Sequence, residues 1–186
     1  MRKIVLIFAV MLLSASFDRV YAYDCEQPVE NDCWFYVECL EEKFECGYTG
    51  YPVSYGFKFC RKFQKAKRFS PRGKAWITST MLCLQKALVP FANDNYPVND
   101  AACGAIEEWG FGTHSACYTE HENSFCFLGP LDLMNAVNVI GPGALLGNQK
   151  ARRQVKQVMG ICLRKLARIP GKGAEYRVIE DAYNKL

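Results

Sequence analysis

Ten cysteines are the feature of this 186-residue sequence that most constrains its fold. They lie at positions 25, 33, 39, 46, 60, 83, 103, 117, 126 and 162. An even number of cysteines in a secreted chain is typical of a disulfide framework, so we expect five disulfides. Zinc sites need clustered Cys-x-x-Cys pairs, which this chain lacks, so we expect no metal and no cofactor. Spacing alone leaves about 945 pairings open.

The first 22 residues have the pattern of a secretory signal peptide. Arg2 and Lys3 form a positive head, an apolar stretch IVLIFAVMLL follows, and VYA at 20–22 precedes the expected cleavage. Such a segment is too short to span a bilayer. We therefore expect a secreted, extracellular protein whose mature chain, residues 23–186, is a single domain.

Hydrophobic periodicity along the mature chain is helical, and strand-like alternation is scarce. Ser70 and Pro71 have the residue types of a helix N-cap and first helical position, and they open a segment that Pro90 ends. Helical segments are also predicted over 31–46, 54–69, 99–121, 130–140 and 148–169, and a short one closes the chain. The 99–121 helix begins at Asn99 or Asp100 and is expected to break near Gly110–Gly112. These patterns predict an all-α, disulfide-stapled helical bundle.

Charge alternates in blocks along the sequence. Residues 46–93 hold nine basic side chains and no acidic one, and residues 133–174 hold eight and none. Two sets of these basic side chains lie opposite the apolar faces of their predicted helices, where we expect them to be exposed for partner binding. The sets are Lys58, Arg61, Lys62, Lys65 and Arg68, and Lys150, Arg153, Arg164 and Arg168. A secreted protein is not expected to bind nucleic acid, so the acidic partners left open are sulfated glycans, anionic lipids and acidic protein surfaces. Of these we expect a sulfated glycan.

His114 is the one residue that suggests catalysis. It precedes a Cys117–Tyr118 pair, as the catalytic histidine of secreted phospholipase A2 precedes a Cys-Tyr pair. That enzyme needs a calcium-binding aspartate directly after the histidine, whereas Ser115 follows here. His121 lies two helical turns further on and would make only a weak metal site. We therefore predict that the chain is not an enzyme, with a phospholipase as the weakest alternative.

The order of the cysteines, with the residues between them, resembles the stanniocalcins, which are secreted helical glycoprotein hormones. The resemblance rests on C25-x7-C33-x5-C39-L-E, on RGKAWITSTMLCLQ around Cys83, on the Cys117–Tyr118 pair, and on GICLRKL around Cys162. It covers residues 25 to about 166. We refer to these ten cysteines in this order as the cysteine ladder.

The resemblance implies a pairing and a function. The implied disulfides are Cys25–Cys39, Cys33–Cys60, Cys46–Cys103, Cys83–Cys117 and Cys126–Cys162. The implied function is hormone-like regulation of calcium or phosphate homeostasis, or inhibition of a pappalysin-type metalloproteinase. The expected partner is therefore an extracellular protein, either a receptor or a metalloproteinase.

Two departures from the family pattern change these expectations. The cysteine that links two chains in family members has no counterpart after Cys162, so any homodimer is expected to be noncovalent. The usual glycosylation site between the third and fourth cysteines is replaced by LEEKFE, so we expect no glycan there. A helical lipid-binding module of the saposin kind is the alternative function, although its usual six cysteines fit the cysteine ladder poorly.

Overall fold

The computed structural model describes residues 23–93, 95–99, 101–120 and 122–186. The predicted signal peptide, Asp100 and His121 lie outside these residues. The described part is helical and contains no strand, which confirms the predicted all-α, disulfide-stapled fold. None of its helices has the length and hydropathy to cross a membrane.

Helices α1 to α4 build the N-terminal half. Helix α1 starts with a π-helical turn, Tyr36–Glu41, and continues as α-helix over Glu42–Phe44. Helix α2 likewise joins the π-helical Pro52–Phe57 to the α-helical Lys58–Lys65. Helix α3 spans Pro71–Lys86, and α4 is the single turn Val89–Ala92.

Helices α5 to α9 build the C-terminal half. Helix α5 spans Ala102–Thr119 and is followed by a 3₁₀ turn, Phe125–Phe127. Helix α6 spans Pro130–Ile140, α7 spans Pro142–Gly147, α8 spans Gln149–Leu166, and α9 spans Gly173–Asn184. Helix α8 packs against α5, α7, α9 and the 3₁₀ turn, so it is the central element of this half.

Local sequence signals account for several helix boundaries. Ser70 Oγ accepts a hydrogen bond from the Gly73 N–H, and Asn148 Oδ1 accepts one from the Ala151 N–H, so both are N-caps. Gly141 follows α6 with φ +78°, a left-handed value that glycine adopts without strain. Helix α3 ends at Lys86. Pro90 has no N–H to donate to the Lys86 carbonyl, and its ring would clash with that carbonyl if the helix continued.

Two expected boundaries were wrong. Helix α5 continues without a break through Gly110, where a Cβ atom would lie only 2.4 Å from the Tyr51 ring. Gly110 therefore allows close packing of α5 against α2 rather than ending a helix. Helix α2 ends earlier than predicted, because the backbone at Ala66 is extended, with ψ 120°. Arg68 consequently lies outside the helix.

The five disulfides tie successive elements together. They are Cys25–Cys39, Cys33–Cys60, Cys46–Cys103, Cys83–Cys117 and Cys126–Cys162, with Cα–Cα distances of 4.7 to 5.8 Å. These are the five pairs that the stanniocalcin resemblance implies, and no cysteine of the described residues is free. The first two attach the segment before α1 to α1 and α2, the next two attach α5, and the last joins the 3₁₀ turn to α8.

Candidate interaction surfaces

The first predicted basic set is divided by the structure. Lys58 and Lys62 both lie near Phe59, with Nζ atoms 5.8 Å and 5.1 Å from the ring centroid. Arg61 is only partly exposed and donates a hydrogen bond to Gln64 Oε1. Lys58 and Lys62 are nevertheless exposed, as the sequence predicts.

Arg68 lies apart from this group, at the N-terminal end of α6. It borders an open depression with Leu131 and Asn135, and the Asn135 side-chain amide donates to the Arg68 carbonyl. Lys65 is exposed at the last residue of α2. The prediction of one continuous face with five basic residues is therefore wrong, because the chain turns extended at Ala66.

The second predicted basic set stays on one side of α8. Arg153 and Arg164 are exposed, and they are eleven positions apart, which is close to three full helical turns. Arg168 lies two residues beyond the end of the helix and is also exposed. Lys150 differs from these three, because its Nζ atom pairs with Glu107 Oε1 of α5 at 3.1 Å.

Arg164 and Arg168 both border a second open depression, which is separate from the one beside Arg68 and has a volume of about 470 Å³. Its apolar lining comes from Phe127, Ile161 and Ile169. Lys165 also lines it, and its Nζ atom donates to the Thr119 carbonyl at 2.7 Å. The structure thus combines basic and apolar side chains at the C-terminal end of α8.

A second surface, the C-terminal groove, was not predicted from the sequence. It lies between α6, α8 and α9 and has a volume of about 440 Å³. Its lining is mainly apolar and includes Met134, Val137, Met159, Val178, Ala182 and Leu186. At its edge, Asp181 and Lys185 form an ion pair along α9. The residue through which the sequence could have indicated it is Met134 on α6, a large apolar side chain that is 52% exposed.

His114 lies among aromatic rings in the middle of α5. Its ring is 5.6 to 6.4 Å, between centroids, from Phe111, Tyr51 and Tyr118. Loss of hydration lowers the pKa of His114 to about 4, although a hydrogen bond between Nδ1 and the Gly110 carbonyl opposes this shift. The imidazole is therefore neutral at pH 7. No group of three or more metal-binding side chains occurs among residues 23–93, 95–99, 101–120 and 122–186.

No protein-family model, curated protein or solved structure matches this sequence significantly. The likeness to stanniocalcins therefore rests on the cysteine ladder and the motifs around it.

Proposed function

We propose that this chain is a secreted, stanniocalcin-like regulatory protein that acts by binding an extracellular protein. Its role would lie in calcium or phosphate homeostasis or in the inhibition of an extracellular metalloproteinase. The observation that carries this proposal is the pairing of the ten cysteines. Of about 945 pairings that the sequence leaves open, the chain has the one that the resemblance implies.

Two assays with the mature, disulfide-bonded protein test the proposal. In the first, a pappalysin-type metalloproteinase cleaves its protein substrate in the presence of increasing amounts of this chain. In the second, calcium and phosphate fluxes are followed across an epithelial cell layer. We expect inhibition in the first assay or a changed flux in the second, and the reduced and alkylated chain serves as the inactive control. No effect in either assay would contradict the proposal.

A helical lipid-binding module is the second candidate function, and the C-terminal groove favours it. Pockets that bind small apolar ligands are concave, are lined mainly by apolar side chains, and have volumes of about 300–1,000 Å³. The groove meets these criteria, since Met134, Val178 and Leu186 line a volume of about 440 Å³. If lipid binding is the function, Val178→Asp weakens binding of a fluorescent fatty acid at least tenfold.

Fatty-acid release from phospholipid vesicles, with and without calcium, tests the phospholipase alternative.

A further inference from the structure

Four basic side chains form a line along the exposed side of α8. They are Arg153, Lys156, Arg164 and Arg168, and all four are exposed. We call them the α8 basic stripe. At 100° and 1.5 Å per residue, the first three lie within about 80° of one another around the helix and extend over about 16 Å. Arg168 continues the line just beyond the last helical residue, Leu166.

The stripe carries positive charge that its surroundings do not neutralise. No ion pair of the described residues involves any of its four members. Two nearby basic residues differ in this respect, because Lys150 pairs with Glu107 and Lys172 pairs with Glu175. Asp181 on the adjacent helix α9 is paired with Lys185. Residues 133–174 themselves contain no acidic side chain.

Position 160, between two of the basic groups, carries no side chain. Gly160 lies between Lys156 and Arg164, and a Cβ atom there would be 3.6 Å from Arg164 Nη1 and 3.8 Å from the Tyr183 ring. Tyr183 also lies beneath Lys156, whose Nζ atom is 5.1 Å from the ring centroid. At the other end, Arg164 and Arg168 border the depression lined by Phe127, Ile161 and Ile169. The absence of a side chain at Gly160 thus lets Arg164 and Tyr183 lie close to the helix backbone in the middle of the stripe.

We propose that the α8 basic stripe binds a sulfated glycan chain lying along the helix. A small anion is held by donors that converge on one point, whereas these four groups are spread along a line. A linear polyanion with regularly repeated sulfate groups matches this arrangement, because each charge on the protein can meet a separate sulfate. The α2 set is less extended, because Arg61 is only partly exposed and is bonded to Gln64, and Arg68 lies outside the helix.

Heparin binding by the secreted, disulfide-bonded protein tests the site. We expect retention on heparin–Sepharose at about 0.15 M salt, where screening limits electrostatic attraction to about 8 Å. Arg153→Gln/Arg164→Gln removes two charges from the stripe and should raise the Kd for immobilised heparin at least tenfold. It should also reduce the slope of log Kd against log salt concentration by about two, because two fewer counterions are released.

The matched control is Lys58→Gln/Lys62→Gln, which removes the same charge from α2. We expect its Kd to stay within threefold of the parent value, and far-UV circular dichroism to show equal helix content in all three proteins. Equal losses in both double variants would mean that net charge governs binding, and the proposal would be wrong. Failure of the parent protein to bind heparin at about 0.15 M salt would overturn it as well, as would binding to phosphatidylserine vesicles in place of heparin.

Secretion is the part of the proposed function on which this inference rests. Recovery of the chain from the culture medium tests secretion before any heparin is added. The metalloproteinase assay contains no glycan, and the heparin assay contains neither a metalloproteinase nor epithelial cells. A negative heparin result therefore leaves the regulatory proposal standing, and a negative regulatory result leaves the glycan site standing.

Discussion

Gly110 and Gly112 lie two residues apart on α5 but have different surroundings. A Cβ atom at Gly110 would approach the Tyr51 ring to 2.4 Å, whereas one at Gly112 would have no neighbour within 4 Å. Gly110 is buried and Gly112 is exposed. A substitution at Gly110 therefore tests steric fit against Tyr51, whereas one at Gly112 tests helix propensity alone.

Replacing each glycine with alanine should change stability in opposite directions. Gly110→Ala adds a methyl group to a closely packed interface and should lower the free energy of unfolding by about 1–3 kcal/mol. Gly112→Ala should raise it by about 0.5–1 kcal/mol, since alanine is the better helix former. Urea unfolding with the disulfides intact measures both. A Gly110→Ala variant as stable as the parent would show that Tyr51 does not pack there.

His114 should make stability depend on pH. Its pKa is lowered to about 4 in the folded chain, whereas an unfolded histidine titrates near 6.5. The unfolded state therefore binds more protons between these values, so the stability contributed by the neutral imidazole is present above pH 6.5 and is lost as the pH falls toward 4.

His114→Gln removes this titration and should flatten the pH dependence. Urea midpoints of the parent and of the variant at pH 7.5 and pH 4.5 give the comparison, and we expect the parent to lose more stability than the variant on acidification. A stability difference between the two proteins that is the same at both pH values would contradict the lowered pKa of His114.

At the scale of elements, the start of α3 depends on a residue of α6. Asp132 Oδ1 accepts a hydrogen bond from the Ser70 N–H at 2.9 Å, and Oδ2 accepts one from the Ser70 hydroxyl. Asp132 is buried and lies in the first turn of α6, where a negative charge is also favoured by the helix dipole. A Cβ atom at Gly73 would meet its carboxyl group at 2.8 Å, which explains why glycine follows Arg72.

Asp132→Ala should therefore destabilise the junction of α3 and α6. It removes the acceptor of the part-buried hydrogen bond from the Ser70 N–H, which costs about 1–3 kcal/mol of unfolding free energy. The control is Asp181→Ala, which removes an exposed ion pair with Lys185 and should cost no more than about 0.5 kcal/mol. Equal unfolding midpoints for the two variants would show that the contact between α3 and α6 contributes little.

The helices themselves were predictable because their signals are local. Helices α3 and α8 begin at N-cap hydrogen bonds from Ser70 and Asn148, and α6 ends at the left-handed backbone of Gly141. Each of these signals involves only a few neighbouring residues. Gly110 was misinterpreted because its partner, Tyr51, is 59 residues away, and a single sequence gives no indication of that contact. The C-terminal groove was missed for the same reason, since Met134, Met159 and Val178 come from three different helices.

The basic sets show the same limit for the candidate sites. Periodicity correctly placed Arg153 and Arg164 on one face of α8, where the helix is continuous from Gln149 to Leu166. It placed Arg68 on α2 only by assuming that the helix continued past Ala66. The pairing of Lys150 with Glu107 depends on how α5 packs against α8, which periodicity does not address.

On the scale of the whole molecule, disulfides connect both halves of the described chain. Cys46–Cys103 and Cys83–Cys117 attach α5 to the N-terminal half, and Cys126–Cys162 holds α8 against the turn that follows α5. All ten cysteines are used within one chain. We therefore expect a monomer band on a denaturing gel without reductant, and a dimer band that disappears on reduction would contradict the pairing. Association through a helical face would appear only in native size-exclusion chromatography.

The cysteine pairing of the secreted protein tests the account most directly, because the fold and the proposed stanniocalcin-like function both depend on it. Peptide mapping without reductant, on protein collected from the culture medium, should recover all five pairs. The decisive peptide contains Cys126 joined to Cys162, which fixes α8 to the 3₁₀ turn. A peptide joining Cys126 to Cys117 would contradict both the architecture of the C-terminal half and the stanniocalcin-like order of the cysteine ladder.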